Sequence, residues 1–235
     1  MARFLLSIVF ASLLALAAVH ETQAIEYIVE NRALNTPGGV RFRDELGVDY
    51  TKQKMRDATD FIWNLFKETT AAERRDTPRI SLFVEDIGGI AASSEDIIHF
   101  SANTLILINF HLGLAADKLK NDFNGILYHE ITHSLQRNGK GQAPVGLVEG
   151  IADFVSFLKA GFIYDGYLNP GDGNSWDEGY GVTARFLEYC EGLKDGFVAE
   201  LNKKMIDGYS DDFFNQLLGK TVNQLWTDYK AKYAN

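Results

Sequence analysis

The sequence predicts an α+β protein, a small mixed sheet with an edge strand followed by a mainly helical C-terminal half. Three observations carry this. Strand-like stretches cluster before Asn103, helical periodicity dominates after it, and glycine-rich turns break the helices at Gly139–Gly146 and Gly166–Gly181. With 235 residues, 46% hydrophobic and 12% aromatic, the chain is long and apolar enough to bury a real core.

The elements follow in order. IEYIVEN (Ile25–Asn31) alternates like a strand, and Pro37-Gly38-Gly39 turns the chain into VRFRDELG. Between Asp49 and Arg75, residues Met55, Ala58, Phe61, Ile62, Leu65 and Phe66 recur at helical spacing. RISLFVEDI (Arg79–Ile87) has the composition of a buried strand. Gly88-Gly89 turns the chain, and DIIHFSA (Asp96–Ala102) is a further strand. Beyond Phe197 the pattern is short amphipathic helices without recognisable chemistry. No repeat or low-complexity linker interrupts the chain.

The N-terminus is a secretory signal by its composition. Arg3 precedes the apolar run Phe4–Val19, and small residues follow to Ala24. The run is shorter than the roughly 20 residues a spanning helix needs. The expected division is therefore a signal peptide over 1–24 and one domain over 25–235, with Ala17 and Ala18 as alternative cut sites. Cys190 is the only cysteine, so no intrachain disulfide forms, and its expected role is a buried small hydrophobe. A net charge of −9 argues against nucleic acid and anionic membranes as partners. The expected mature protein is a monomer with no membrane contact.

The chemistry lies in YHEITHSLQRNG (Tyr128–Gly139). On a helix His129 and His133 rise on one face a turn apart, so both imidazoles can reach one cation. Glu130, beside the first ligand, is placed to handle a water there. Gly139 is the expected helix stop. A glycine-rich turn and Pro144 then open a second helix, LVEGIADFV (Leu147–Val155), where Glu149 and Asp153 again share a face. Carboxylates among Leu147, Val148, Ile151, Ala152, Phe154 and Val155 are costly unless partnered. Two His and one Glu form a zinc set with an open position. Asp153 could then accept from a ligand ring N–H, His129 by preference.

This arrangement resembles the glutamate-zincin pattern, HExxH followed by ExxxD. The metzincin pattern fails, because Gln136 and Gly139 stand where it needs Gly and His. Over the whole mature chain, ALNTPGGVRFRDELG, YHEITHSLQRNGKGQAPVGLVEGIADFV, GYGVTARFLEYC, FVAELNKKM and LLGKTVNQLWTDYKAKY resemble the plant basic secretory proteins. That family is also described as pathogenesis-related class 17, a group of secreted metallopeptidases. The resemblance implies a zincin-like fold with a cleft between the sheet and the C-terminal helices. It also implies Zn2+ on His129, His133 and Glu149, Glu130 as catalytic acid/base, peptide or protein substrates, and a defence role in the plant apoplast or cell wall space. This chain departs from the family in being acidic rather than basic, and in HSLQRNG, where the family often has tryptophan. The competing expectation is a catalytically idle zincin fold that binds a protein or cell-wall ligand.

Peptide hydrolysis also needs a donor to the oxyanion. Tyr180, at a glycine-flanked loop-to-helix junction after the third ligand, is the candidate. His99 and His111 carry no assignment, and the acidic loop at Asp172, Asp177 and Glu178 does not match an EF-hand.

Overall fold

The computed structural model describes residues 24–110, 116–164 and 166–234. The expected signal segment lies outside them apart from Ala24, and so does His111. The architecture is mixed α+β: a four-stranded sheet, then helices to the C-terminus. Its strands are β1 (Glu26–Asn31), β2 (Arg79–Glu85), β3 (Ala91–Ser94) and β4 (Ile97–Ser101), in the order β1-β2-β4-β3. β1 and β4 run parallel to β2, and β3 closes one edge antiparallel to β4.

Alternation decides which face is buried. Ile80, Leu82 and Val84 of β2 and Ile98 and Phe100 of β4 point to one side and lose all solvent contact. Two helices pack against each other over the core on that side: α2 (Gly47–Leu65) with Met55, Ala58 and Ile62, and α4 (Ala116–Leu135) with Phe123, Leu127 and Ile131. A short α1 (Pro37–Arg41) is capped by the Thr36 hydroxyl, which accepts from the Gly39 N–H at 3.0 Å. It lies against α3 (Ala102–Phe110) so closely that a Cβ on Gly38 would meet the Ala102 carbonyl oxygen at 1.9 Å.

Three details differ from the periodicity. α2 stops at Leu65, well short of Arg75. Lys67 turns left-handed at φ 57°, and the Glu73 carboxylate accepts the N–H groups of Thr69 and Thr70 at 3.0 and 2.9 Å. Local side-chain bonds there offer the backbone an alternative to another helical turn. One of the two edge strands is β3, which no pattern in the sequence marks, while β4, the strand of His99, is interior to the sheet. Finally, α4 ends at Leu135 rather than at Gly139. Arg75 donates to the His133 and Ser134 carbonyls at 3.0 and 2.8 Å, Thr77 donates to Ser134, and Asn202 accepts the Arg137 N–H at 2.7 Å. These outside groups satisfy the orphan ends of the last turn. Gly139 serves the following turn instead, at φ 64°, donating to the Met205 carbonyl at 3.0 Å.

The remaining helices are α5 (Val145–Asp153), continued by a π-helical turn at Phe154–Lys159, α6 (Tyr180–Leu193), α7 (Phe197–Lys204), α8 (Asp212–Leu218) and α9 (Val222–Lys232). The last four gather around an aromatic cluster in which Phe186 meets Phe214, Trp226 and Tyr229. Cys190 is fully buried in α6, and burial pushes its thiol pKa up, which keeps it an unreactive packing group. Among the described residues, no helix is long and apolar enough to cross a membrane.

Candidate metal centre

Two helices supply the site. α4 presents His129 and His133 on one face, their rings edge-on with centroids 4.8 Å apart. Across from it runs α5, started at Pro144 and carrying Glu149 and Asp153 one turn apart. The angle of α5 is fixed by its glycines. A Cβ on Gly146 would sit 1.8 Å from the Asp177 carbonyl oxygen, and one on Gly150 would sit 2.3 Å from the Thr183 side chain. Only glycine lets α5 lie this close to the N-terminus of α6. Thr183 then locks the junction, accepting from the Gly179 N–H at 2.9 Å and donating to the Trp176 carbonyl at 2.8 Å.

The donors converge. Nε2 of His129 lies 3.1 Å from Nε2 of His133 and 3.2 Å from Oε2 of Glu149, and the remaining edge, His133 to Glu149, is 3.4 Å. Zinc held tetrahedrally by nitrogen and oxygen at about 2.0–2.1 Å requires ligand atoms roughly 3.3 Å apart. The three measured edges match that triangle, and the donor types are those zinc takes in hydrolytic sites. Among the described residues, this is the one group of acidic, histidine or cysteine side chains spaced to hold an ion.

Electrostatics match the geometry. Burial opposes charge on His129, yet hydrogen bonds to Asp153 and Glu149 outweigh it and hold the ring up to about 9. Burial would likewise raise Glu149, but bonds to His129 and His133 bring its carboxyl down to about 2. The triangle thus sets a negative Glu149 carboxylate against a His129 ring held in its charged form, and a divalent cation would compete with that proton. Asp153, 4% exposed, takes His129 Nδ1 at 2.8 Å, which leaves Nε2 as the nitrogen turned toward Glu149 and His133.

Glu130 is 6% exposed beside His129, and its charge contributes to the field on that ring. Tyr180, the first residue of α6, stacks on the His129 ring at 6.2 Å and 10°. It keeps more than half its surface in solvent and holds a left-handed φ of 43°. For a non-glycine residue that conformation is strained, and such strain gathers at functional sites. The charge of Glu149, then burial, raises its hydroxyl pKa, so it stays a donor.

All six residues singled out from the sequence (His129, Glu130, His133, Glu149, Asp153 and Tyr180) fall in this one place. The unassigned His99 bonds Glu85 at 2.7 Å on the sheet and is not among the converging donors. The acidic loop after Tyr167 satisfies its own backbone: Asp172 accepts from Asn169 and Glu178 from Asn174, while the Lys230 ammonium takes the Gly171 and Gly173 carbonyls.

Two neighbours escaped the sequence reading. The Gln136 amide nitrogen lies 2.8 Å from His133 Nδ1 and donates to the Val148 carbonyl at 3.2 Å, so it buttresses the second imidazole. Its position three residues after His133 was a usable signal, since i and i+3 share a helix face. The Tyr167 hydroxyl donates to Asp153 Oδ2 at 3.1 Å from an irregular loop, where no periodicity could announce it.

Comparisons with known proteins give two matches. A family profile described as "BSP: Peptidase of plants and bacteria" matches residues 22–229. A Boswellia serrata protein named "Basic secretory protease" is 50% identical over 58 residues, 25% of this chain and 66% of that relative. The chain thus spans just under two thirds of the length of that relative. No solved structure gives a significant match.

Proposed function

This chain belongs to the BSP family of plant and bacterial peptidases, and on that premise we propose that it is a secreted zinc-dependent peptidase of zincin-like fold acting in plant defence. The observation that carries the reading is the triangle of His129, His133 and Glu149, with edges of 3.1–3.4 Å and Glu130 alongside. Secretion to the apoplast or cell wall space is supported by the signal-like N-terminus and by the name of the Boswellia serrata relative, a basic secretory protease. The defence role rests on the family resemblance.

His129, His133 and Glu149 would hold the zinc ion, which when bound supplies Lewis-acid polarisation of the substrate carbonyl and a water acidified toward neutral pH. Glu130 takes the proton from the attacking water and passes it to the leaving amine. Asp153 keeps the His129 ring oriented. Tyr180, strained into place over that ring, donates its hydroxyl to the developing oxyanion. The exposed edge of β3 gives an extended peptide main-chain groups to pair with.

The decisive experiment measures zinc content and peptide cleavage for wild type and Glu130→Gln. The variant should bind zinc as wild type does and lose activity by roughly 10²–10⁴-fold, the usual worth of a positioned acid/base. Equal activity in the two proteins would end the peptidase reading.

A further inference from the structure

Asp153 is almost fully buried and has two oxygens to satisfy. Oδ1 accepts from His129 and Oδ2 accepts from the Tyr167 hydroxyl at 3.1 Å. A phenol is protonated at neutral pH and a carboxylate only accepts, so the direction of the second bond is fixed. With both oxygens bonded, the carboxylate plane cannot turn about its last torsion without breaking one bond. With Tyr167 removed, only the bond to His129 itself would resist that rotation.

The ring that carries this hydroxyl is itself held. Tyr167 is 9% exposed and is flanked by Phe157 and Tyr164, with centroids at 5.5 and 5.4 Å. Arg185 of α6 lies over its face at 5.2 Å and donates to the carbonyl of the next residue, Leu168, at 2.8 Å. Gly181, beside Tyr180, leaves the ring room: a Cβ there would stand 3.3 Å from the Tyr167 Cζ. The loop between α5 and α6 is thus clamped to the first turns of α6 and delivers one hydroxyl to the carboxylate behind the metal triangle.

We infer that Tyr167 is a positioning residue for the metal centre, acting through Asp153 to fix the orientation of His129. The inference rests on the zinc reading above and extends it by one bond. Groups bonded to a metal-bound histidine usually contribute 10- to 100-fold to metal affinity. Tyr167 stands one bond further out, so Tyr167→Phe, which keeps the ring and removes the hydroxyl, should weaken zinc binding by roughly three- to tenfold.

The test is a chelator competition for zinc on wild type, Tyr167→Phe, Asp153→Ala and the double variant, each checked for native circular dichroism. A residue that acts only through Asp153 adds nothing once the carboxylate is gone. The expected pattern is therefore a loss in Tyr167→Phe that vanishes on the Asp153→Ala background. The visible spectrum of the cobalt-loaded protein should shift between wild type and Tyr167→Phe, because the ring orientation changes, and this second readout serves if Asp153→Ala does not fold. Wild-type affinity together with an unchanged cobalt spectrum in Tyr167→Phe would overturn the inference and leave the zinc reading standing. A loss of equal size in both backgrounds would overturn it as well, since it would mark a purely structural role. Failure of wild type to bind zinc would overturn both.

Discussion

Two acids, the partly buried Glu149 facing α4 and the buried Glu68 just past the end of α2, have pKa values displaced in opposite directions. Burial raises both. Glu149 is nevertheless carried down to about 2, because bonds to His129 and His133 outweigh its desolvation. Glu68 is carried up to about 7, because the charges of Arg137 and Arg74 only partly offset its burial. Asn202 donates to one Glu68 oxygen at 3.2 Å, while the other oxygen is buried without a partner among the described residues. Loss of water alone therefore neutralises an acid here, and charge persists only where donors converge on it. The triangle at Glu149 holds charge ready for a cation, whereas the pocket at Glu68 discourages it.

Removing the charged acid is the hardest test of that contrast. Glu149→Ala takes away one of the three proposed ligands, and zinc affinity should fall on the order of a thousandfold, a few kcal/mol out of the large total a three-ligand site provides. Chelator competition measures it directly. An unchanged affinity would mean that Glu149 is no ligand and that its low pKa reports nothing more than an ion pair with His129.

Glu68 gives the opposite and smaller effect, read as stability against pH. Its ordinary value is 4.5 and its folded value about 7, so between those values the folded chain holds a proton that the unfolded chain has released. Stability from this group is full below pH 4.5 and is lost as pH rises through 7, by at most about 3 kcal/mol. Glu68→Gln imitates the protonated acid and removes that slope. Denaturant titrations of wild type and variant at pH 5, 6, 7 and 8 should diverge progressively, and parallel curves would show that Glu68 ionises freely where it sits.

The two acids also differ in how visible they were beforehand. Glu149 and Asp153 could be found because both helices of the site obey i, i+4 spacing, which converts directly into a shared face. Glu68 and Asn202 are 134 residues apart and meet only through the tertiary fold. The same divide runs through the rest of the molecule. β1, β2 and β4 were legible from alternation and apolar content, and the later helices from their period. β3 was not, since its AASS holds four small residues, alternately half-buried and exposed, that become a strand only by pairing with β4. The end of α2 depends on what the Glu73 carboxylate caps, and the role of Tyr167 depends on a loop clamped by Arg185. Contacts between distant segments leave no period to read.

Tyr180 offers the finest test, because it belongs to the charged cluster without being a ligand. Glu149 is the largest influence on its hydroxyl, and its ring lies parallel to that of His129, yet most of its surface faces water. Tyr180→Phe keeps the stacked ring and the left-handed backbone and removes only the donor. If the hydroxyl serves the oxyanion, kcat should fall by roughly a hundredfold, at the low end for such a donor because solvent can partly substitute at an exposed site. KM and zinc affinity should stay near wild type, since neither depends on a bond formed only in the transition state. A matching rise in KM with kcat intact would instead make Tyr180 a substrate-binding residue. A loss of zinc would show that its stacking on His129 helps hold the metal triangle, joining it to the charged cluster more tightly than its exposure suggests.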